Sequence, residues 1–100
     1  MTSHTWIVPP DHAAFAGHFP STPILPGVVL LDVALNIIAD AYQLALDHCE
    51  IGSVKFLSPV YPGDTLRFSH ERLPSGTIRF EIRSAQTAIA SGTLLAGAPL

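Results

Sequence analysis

Charged side chains are scarce in this chain, since Asp, Glu, Lys and Arg together make up only 13% of its 100 residues. The net charge is −3, and the five basic residues form no run. They are Lys55, Arg67, Arg72, Arg79 and Arg83. Because binding to nucleic acid usually requires a clustered basic surface, no nucleic-acid partner is expected.

Cysteine is nearly absent as well, with Cys49 as the single one. A lone cysteine excludes an intrachain disulfide framework and favours the reducing cytoplasm as the location. His12 and His18 lie near Asp11, but no second cluster of metal-binding side chains accompanies them, so no metal is expected. The first six residues lack the basic start and the apolar run of a signal peptide.

A long apolar run without polar interruption is also missing. The most apolar stretch, residues 28–46, contains Asp32, Asn36, Asp40 and Gln43, and charges are costly inside a membrane. We therefore expect a soluble protein with no membrane span. Hydrophobic residues still make up 48% of the chain. The length of 100 residues predicts one domain over residues 1–100, and the apolar content favours an oligomer that covers apolar surface.

The most distinctive stretch is residues 17–27, in which three prolines recur at every third position. They are Pro20, Pro23 and Pro26. Each proline restricts its own φ and disfavours helix at the preceding residue, so the segment should be stiff but neither helix nor strand. It holds His18 at a set distance from the next helix, which carries Asp32. A histidine and a carboxyl group can act as an acid–base pair, so we expect these two side chains to move protons on one substrate.

Residues 27–47 predict one long helix. Its polar residues recur at spacings of three or four and form a narrow stripe, whereas apolar residues occupy nearly all other positions. The stripe consists of Asp32, Asn36, Asp40, Gln43 and Asp47. A helix this apolar should be wrapped by other structure. Its first N–H groups are unpaired and can bind an oxyanion, and Gly27 and Val28 are the candidate donors.

Five strands are predicted around this helix. They cover residues 5–8, 51–57, 65–73, 77–84 and 86–95. The clearest alternation is in the fourth, where Ile78, Phe80 and Ile82 alternate with charged residues. One short strand, a long helix and an antiparallel meander together predict an α+β fold in which a curled antiparallel sheet wraps around one central helix.

Two blocks of the sequence resemble the β-hydroxyacyl-acyl carrier protein dehydratases, which have the hotdog fold. The first block comprises Gly17-His18-Phe19-Pro20, Pro23, Pro26-Gly27-Val28 and Asp32. The second comprises Lys55-Phe56, Pro59-Val60 and Pro62-Gly63-Asp64. The likeness covers residues 8–66. The short chain, together with residues 11–18, is most similar to the stand-alone dehydratases of aryl polyene lipid synthesis.

This sequence departs from the commoner dehydratase branch at two positions. It has Asp32 where that branch has glutamate, and Asn36 where that branch has glutamine. An aspartate at the acid position is similar to the branch that also isomerises the double bond, although those enzymes are considerably longer. The resemblance therefore implies dehydration and leaves open whether isomerisation accompanies it.

The resemblance implies an enzyme that dehydrates a (3R)-3-hydroxyacyl chain on an acyl carrier protein to the trans-2-enoyl form. The reaction belongs to fatty acid or aryl polyene type biosynthesis and needs no cofactor. His18 and Asp32 are the implied catalytic pair, and they are expected to meet across the interface of a homodimer or of a heterodimer with a related hotdog subunit. To act as a general acid, Asp32 must lie in a water-poor, apolar surrounding that favours its protonated form. Candidates for the substrate pocket are Phe19, Pro26, Leu31, Asn36 and Phe56.

Other interpretations of the same residues stay open. His18 could cap a turn, and Asp32 could simply begin the solvated stripe of the helix. A hotdog thioesterase or a non-catalytic acyl-binding subunit would keep the same fold, since fold alone does not decide function. His4, His48 and His70 have no partner pattern and are expected on the surface. The basic residues are expected on solvated strands, and one or two of them could meet an acidic carrier protein.

Overall fold

A computed structural model of the chain describes residues 2–12, 15 and 24–95. Within these residues lie one long helix, one short 3₁₀ turn at Leu46–His48, and five strands. The elements in chain order are β1 (Thr2–Ile7), α1 (Gly27–Tyr42), β2 (Glu50–Phe56), β3 (Thr65–Arg72), β4 (Ile78–Ser84) and β5 (Thr87–Leu95). The strands form one antiparallel sheet in the order β1-β3-β4-β5-β2. The predicted α+β architecture is therefore confirmed.

Strand β4, at the centre of the sheet, alternates between buried and exposed side chains, as the sequence predicts. On β4, Ile78, Phe80 and Ile82 are buried, whereas Arg79 and Glu81 are exposed. The buried side chains belong to the same apolar cluster as the inward side chains of α1, so the sheet has one inner face and one outer face.

Helix α1 lies with one side against this inner face. Its buried residues are Leu30, Ala34, Ile38 and Ala39, which recur at helical spacing. A second stripe, at intervals of four residues, is exposed within the single chain; it consists of Val28, Asp32, Asn36 and Asp40 and is called the open stripe below. Val28 keeps 75% of its surface exposed. The open stripe therefore carries one apolar side chain beside three polar ones.

The predicted helix end at residue 47 is wrong, because α1 ends at Tyr42. Gln43 adopts a left-handed conformation with φ 56° and ψ 48°. The N–H of Gln43 then donates to the carbonyl of Asp40, and the N–H of Leu44 donates to that of Ala39 at 2.9 Å. These two bonds form a Schellman motif, and the buried Leu44 and Ala39 supply its apolar contact. No glycine or proline signals this ending in the sequence.

The two edges of the sheet differ in their exposure. Strand β1 forms one edge and begins at Thr2, three residues before the predicted start. Strand β2 forms the other edge, and all of its side chains except half-buried Val54 are exposed. An edge strand presents a row of unpaired N–H and C=O groups to any chain that approaches it.

Candidate active site

The first residues of α1 offer unpaired backbone N–H groups. Pro26 precedes the helix in an extended conformation, and its carbonyl accepts from Val29 at 3.1 Å and from Leu30 at 3.2 Å. Among the described residues, no acceptor binds the N–H of Gly27 or of Val28. No side chain caps this end, and the first turn has no acidic residue. These N–H groups and the partial positive charge of the helix end can therefore bind a negatively charged or carbonyl oxygen of a ligand.

Gly27 is the helix residue that lies against the aromatic ring of Phe56. A Cβ atom added at Gly27 would lie 2.8 Å from Cζ and 3.0 Å from Cε1 of Phe56. Contacts this short are repulsive, so the ring can rest on the helix start only because residue 27 has no side chain. Phe56 itself keeps 52% of its surface exposed at the end of β2.

An apolar cavity of about 500 Å³ opens beside this helix start. Its lining residues are Ile24, Leu25, Pro26, Gly27, Leu30, Phe56, Leu57, Ser58, Pro59 and Val60. The N–H of Leu25 donates to the carbonyl of Val60 at 2.8 Å, which ties the loop after β2 to the segment before α1. A cavity lined mostly by apolar side chains and bordered by free amides can take an apolar chain that ends in a polar carbonyl group.

Asp32 lies one helical turn after Val28 on the open stripe. The Asn36 side-chain amide donates to the backbone carbonyl of Asp32 at 2.8 Å and lies 3.5 Å from its Oδ1. This bond orients Asn36 beside the carboxylate. Asp32 is exposed to solvent in the single chain. The described residues of this chain therefore do not give Asp32 the apolar surrounding that a general acid requires.

The structure places the other predicted site residues in different surroundings. Pro26 and Phe56 line the apolar cavity. Leu31 is half-buried against the core and does not line that cavity. Asn36 also borders a second cavity, of about 470 Å³, near the C-terminal half of α1. His18 and Phe19 lie outside the described residues.

The expectation that His70 lies on the surface is wrong. Its side chain is 2% exposed on the inner face of β3, and its Nδ1 lies 3.0 Å from the hydroxyl oxygen of Tyr42. The two rings meet edge-on, and the Arg72 guanidinium lies 5.4 Å from the centre of the Tyr42 ring. Burial lowers the pKa of His70 below its ordinary value, and the nearby His4 lowers it further. The signal was present, because residue 70 continues the buried series of Leu66 and Phe68 at every second position.

Neither a metal cluster nor a membrane-spanning helix occurs in the part of the chain that the structure describes. Across residues 2–12, 15 and 24–95, no three His, Cys, Asp or Glu side chains lie close enough together to hold a metal ion. No helix in the same ranges has the length and hydropathy needed to cross a bilayer.

Comparison with known families places nearly the whole chain in one group. The model of the ApeI-like family, described as ApeI dehydratase, matches residues 2–93. A relative named 3-hydroxyacyl-acyl-carrier-protein dehydratase FabZ, from Roseiflexus sp. (strain RS-1), is 41% identical over 61 residues, which cover 53% of this chain and 42% of the relative. The FabZ of Methylobacterium sp. (strain 4-46) is 33% identical over 96 residues, which cover 86% of this chain and 57% of the relative. The chain thus spans about half the length of the curated relatives it matches.

A solved structure supports the fold. The dehydratase heterocomplex ApeI:P from Xenorhabdus doucetiae contains a chain that aligns with a TM-score of 0.78 and 24% identity. The alignment covers 96% of this chain and 86% of that one. Together with the helix and five-stranded antiparallel sheet, this likeness confirms the hotdog fold that the sequence predicts.

Proposed function

We propose that this chain, which belongs to the ApeI-like dehydratase family, removes water from (3R)-3-hydroxyacyl chains carried by an acyl carrier protein. The product is the trans-2-enoyl thioester, in fatty acid or aryl polyene type biosynthesis in the cytoplasm. The observation that carries the proposal is the start of α1. There, two free amides, an apolar cavity and the Asp32 carboxylate lie within the first two helical turns.

The proposed reaction moves two protons and breaks one carbon–oxygen bond. His18 takes a proton from C2 of the thioester, and the N–H groups of Gly27 and Val28 bind the negative charge that develops on its carbonyl oxygen. Asp32 gives a proton to the hydroxyl leaving C3. The C3–O bond breaks, the C2–C3 double bond forms and water departs. Transfer of the gained proton from His18 back to Asp32 restores both groups.

A partner subunit is part of this proposal because Asp32 is exposed in the single chain. A second subunit placed along the open stripe would cover Val28 and exclude water from Asp32. Exposed edge strand β2 supports the same arrangement, since a second edge can add to it by backbone hydrogen bonds. His18 of one subunit would then act with Asp32 of the other. The likeness to a chain of a dehydratase heterocomplex makes a related hotdog subunit the alternative to a second copy.

The direct test is an assay with two readouts. A 3-hydroxydecanoyl thioester is incubated with the protein while absorbance of the conjugated enoyl group and release of free thiol are followed together. We expect enoyl absorbance without thiol release. Thiol release would instead identify a thioesterase, and binding without either signal would identify an acyl-binding subunit, so both results would overturn the proposal.

A further inference from the structure

The outer face of the sheet carries two arginines that form no ion pair with any carboxylate of residues 2–12, 15 and 24–95. Arg67 on β3 and Arg83 on β4 lie directly opposite each other in the antiparallel register. Opposite side chains in a sheet have Cβ atoms about 4.5–5.5 Å apart, and like charges at that position repel each other. Thr5 flanks Arg67 on one side and Ala88 flanks Arg83 on the other, and both are neutral.

The remaining charges of this face lie farther along the strands. The next outer row contains Ser69, Glu81, Ser91 and Lys55, and the row after it contains the ion pair between Arg79 and Glu71. Among the described residues this ion pair is the one salt bridge, so neither Arg67 nor Arg83 forms an ion pair with Glu81. Positive charge is thus concentrated at one end of the sheet on a chain whose net charge is −3.

Arg67 and Arg83 line a surface cavity together with several polar groups. The cavity has a volume of about 600 Å³, and its other lining residues are Thr5, Thr65, Leu66, Ser84, Ala85 and Gln86. Arg83 is held in place, because its Nη2 donates to the carbonyl of Gln86 at 2.8 Å in the β4–β5 turn. Two guanidinium groups beside hydroxyl groups form a surface that suits carboxylates.

This arginine pair lies at the same end of the sheet as the candidate active site. The N–H of Val8, after β1, donates to the carbonyl of Asp64, just before β3. The loop that ends at Asp64 also contains Val60, which lines the apolar cavity and accepts from Leu25. Arg67 and Arg83 therefore lie on the outer face of the sheet, at the same end at which the inner face borders the start of α1.

We propose that Arg67 and Arg83 bind the carboxylates of an acidic carrier protein that delivers the acyl chain. This inference rests on the proposed function and names the docking surface for its substrate. The like-charge pair is unfavourable in the free chain, and a partner that places acidic side chains between the two guanidinium groups removes that repulsion. Attraction of this kind acts mainly on the rate of encounter and weakens as salt screens it.

The test compares carrier-bound and free substrates in the double variant Arg67→Ala/Arg83→Ala. For a 3-hydroxydecanoyl chain on an acyl carrier protein at low ionic strength, we expect KM to rise about ten-fold, on the scale of electrostatic steering, with kcat unchanged. The difference should shrink at higher salt. The same chain on coenzyme A should show no change. The control Arg72→Ala/Arg79→Ala removes the same charge elsewhere and should match the wild type with both substrates.

Three results would overturn the docking surface. One is an unchanged KM for the carrier-bound substrate, and another is an equal rise in the charge-matched control. The third is a rise in KM of the same size with the coenzyme A thioester, which would show that Arg67 and Arg83 bind the phosphate groups of coenzyme A and not the carboxylates of a carrier protein.

A binding measurement separates this inference from the proposed function. The affinity of the unloaded carrier protein for the wild type and for Arg67→Ala/Arg83→Ala is measured by fluorescence anisotropy, without turnover. Wild-type protein that binds the carrier but turns over neither thioester would contradict the proposed dehydration alone. Equal affinities for both proteins would contradict the docking surface alone.

Discussion

Gly27 and Phe56 show how a single missing side chain shapes the candidate site. The Phe56 ring occupies the space that a Cβ at position 27 would need, and both residues line the apolar cavity. A side chain at position 27 should therefore be unfavourable because it would collide with the Phe56 ring, and not because of the backbone conformation of residue 27. This contact allows stability and activity to be separated by mutation.

We predict that Gly27→Ala lowers turnover while changing the thermal unfolding midpoint little. Alanine gains about 0.5–1 kcal/mol over glycine inside a helix, which offsets part of the steric cost, but the Phe56 ring must move. The second substitution in Gly27→Ala/Phe56→Leu should restore part of the activity by removing the ring. Steady-state kinetics and a thermal melt measure both effects. An active Gly27→Ala variant would show that the contact does not shape the site.

Asp32→Asn should reduce kcat by about 10²–10⁴-fold, the usual contribution of one acid–base group, without a loss of stability. The carboxylate is exposed and makes no salt bridge with another described residue, so we expect its charge to contribute little to folding. Asp40→Asn is the matched control, because Asp40 lies on the same open stripe two turns later. Similar rates for Asp32→Asn and the control would show that Asp32 is only a solvated surface residue of the helix and takes no part in catalysis.

His70 should make the stability of the protein depend on pH. Burial lowers the pKa of His70 from its ordinary value of 6.5, so the unfolded chain binds a proton more readily than the folded one. The stability associated with neutral His70 is complete above pH 6.5 and is lost as the pH falls through the lowered pKa. Unfolding midpoints measured between pH 7.5 and pH 5 should therefore fall more steeply in the wild type than in His70→Gln. Parallel pH profiles would contradict this prediction.

At the scale of secondary structure, the end of α1 depends on one strained residue. Gln43 has a positive φ of 56°, a conformation that glycine adopts at lower cost. We predict that Gln43→Gly raises the free energy of unfolding by about 0.5–1 kcal/mol, since left-handed backbone is unfavourable for a residue with a Cβ. Gln43→Ala is the control and should give no gain, because it keeps the Cβ. Denaturant titration of the wild type, Gln43→Gly and Gln43→Ala measures the three free energies of unfolding, and an equal value for Gln43→Gly and the wild type would contradict the prediction.

Local pattern predicts the strands and the start of α1 but not the end of the helix or the location of His70. Alternation of apolar and charged residues specifies β4 because its two faces meet different environments. The ending at Tyr42 arises from a backbone conformation at Gln43, which has no marker in its residue type. Burial of His70 depends on Tyr42, 28 residues away, whose hydroxyl satisfies the imidazole. The catalytic placement of His18 stays a prediction, because residues 16–23 lie outside the described part.

At the scale of the whole molecule, the open stripe and strand β2 are the exposed surfaces that the proposed partner subunit would cover. The stripe combines exposed Val28 with Asp32, and β2 presents a free edge beside Phe56. One partner placed along both would bury apolar surface and surround the carboxylate with low-polarity groups. In a two-fold dimer the same contact occurs twice, so it would complete two sites at once.

Complementation between two inactive variants tests this arrangement most directly. His18→Ala and Asp32→Asn are prepared separately, unfolded, mixed in equal amounts and refolded, and dehydration of a 3-hydroxydecanoyl thioester is measured. If each site takes its histidine and its aspartate from different subunits, half of the dimers contain one intact site, and activity returns to about a quarter of the wild-type value. A mixture as inactive as either variant alone, beside an active wild type refolded in the same way, would contradict the shared site.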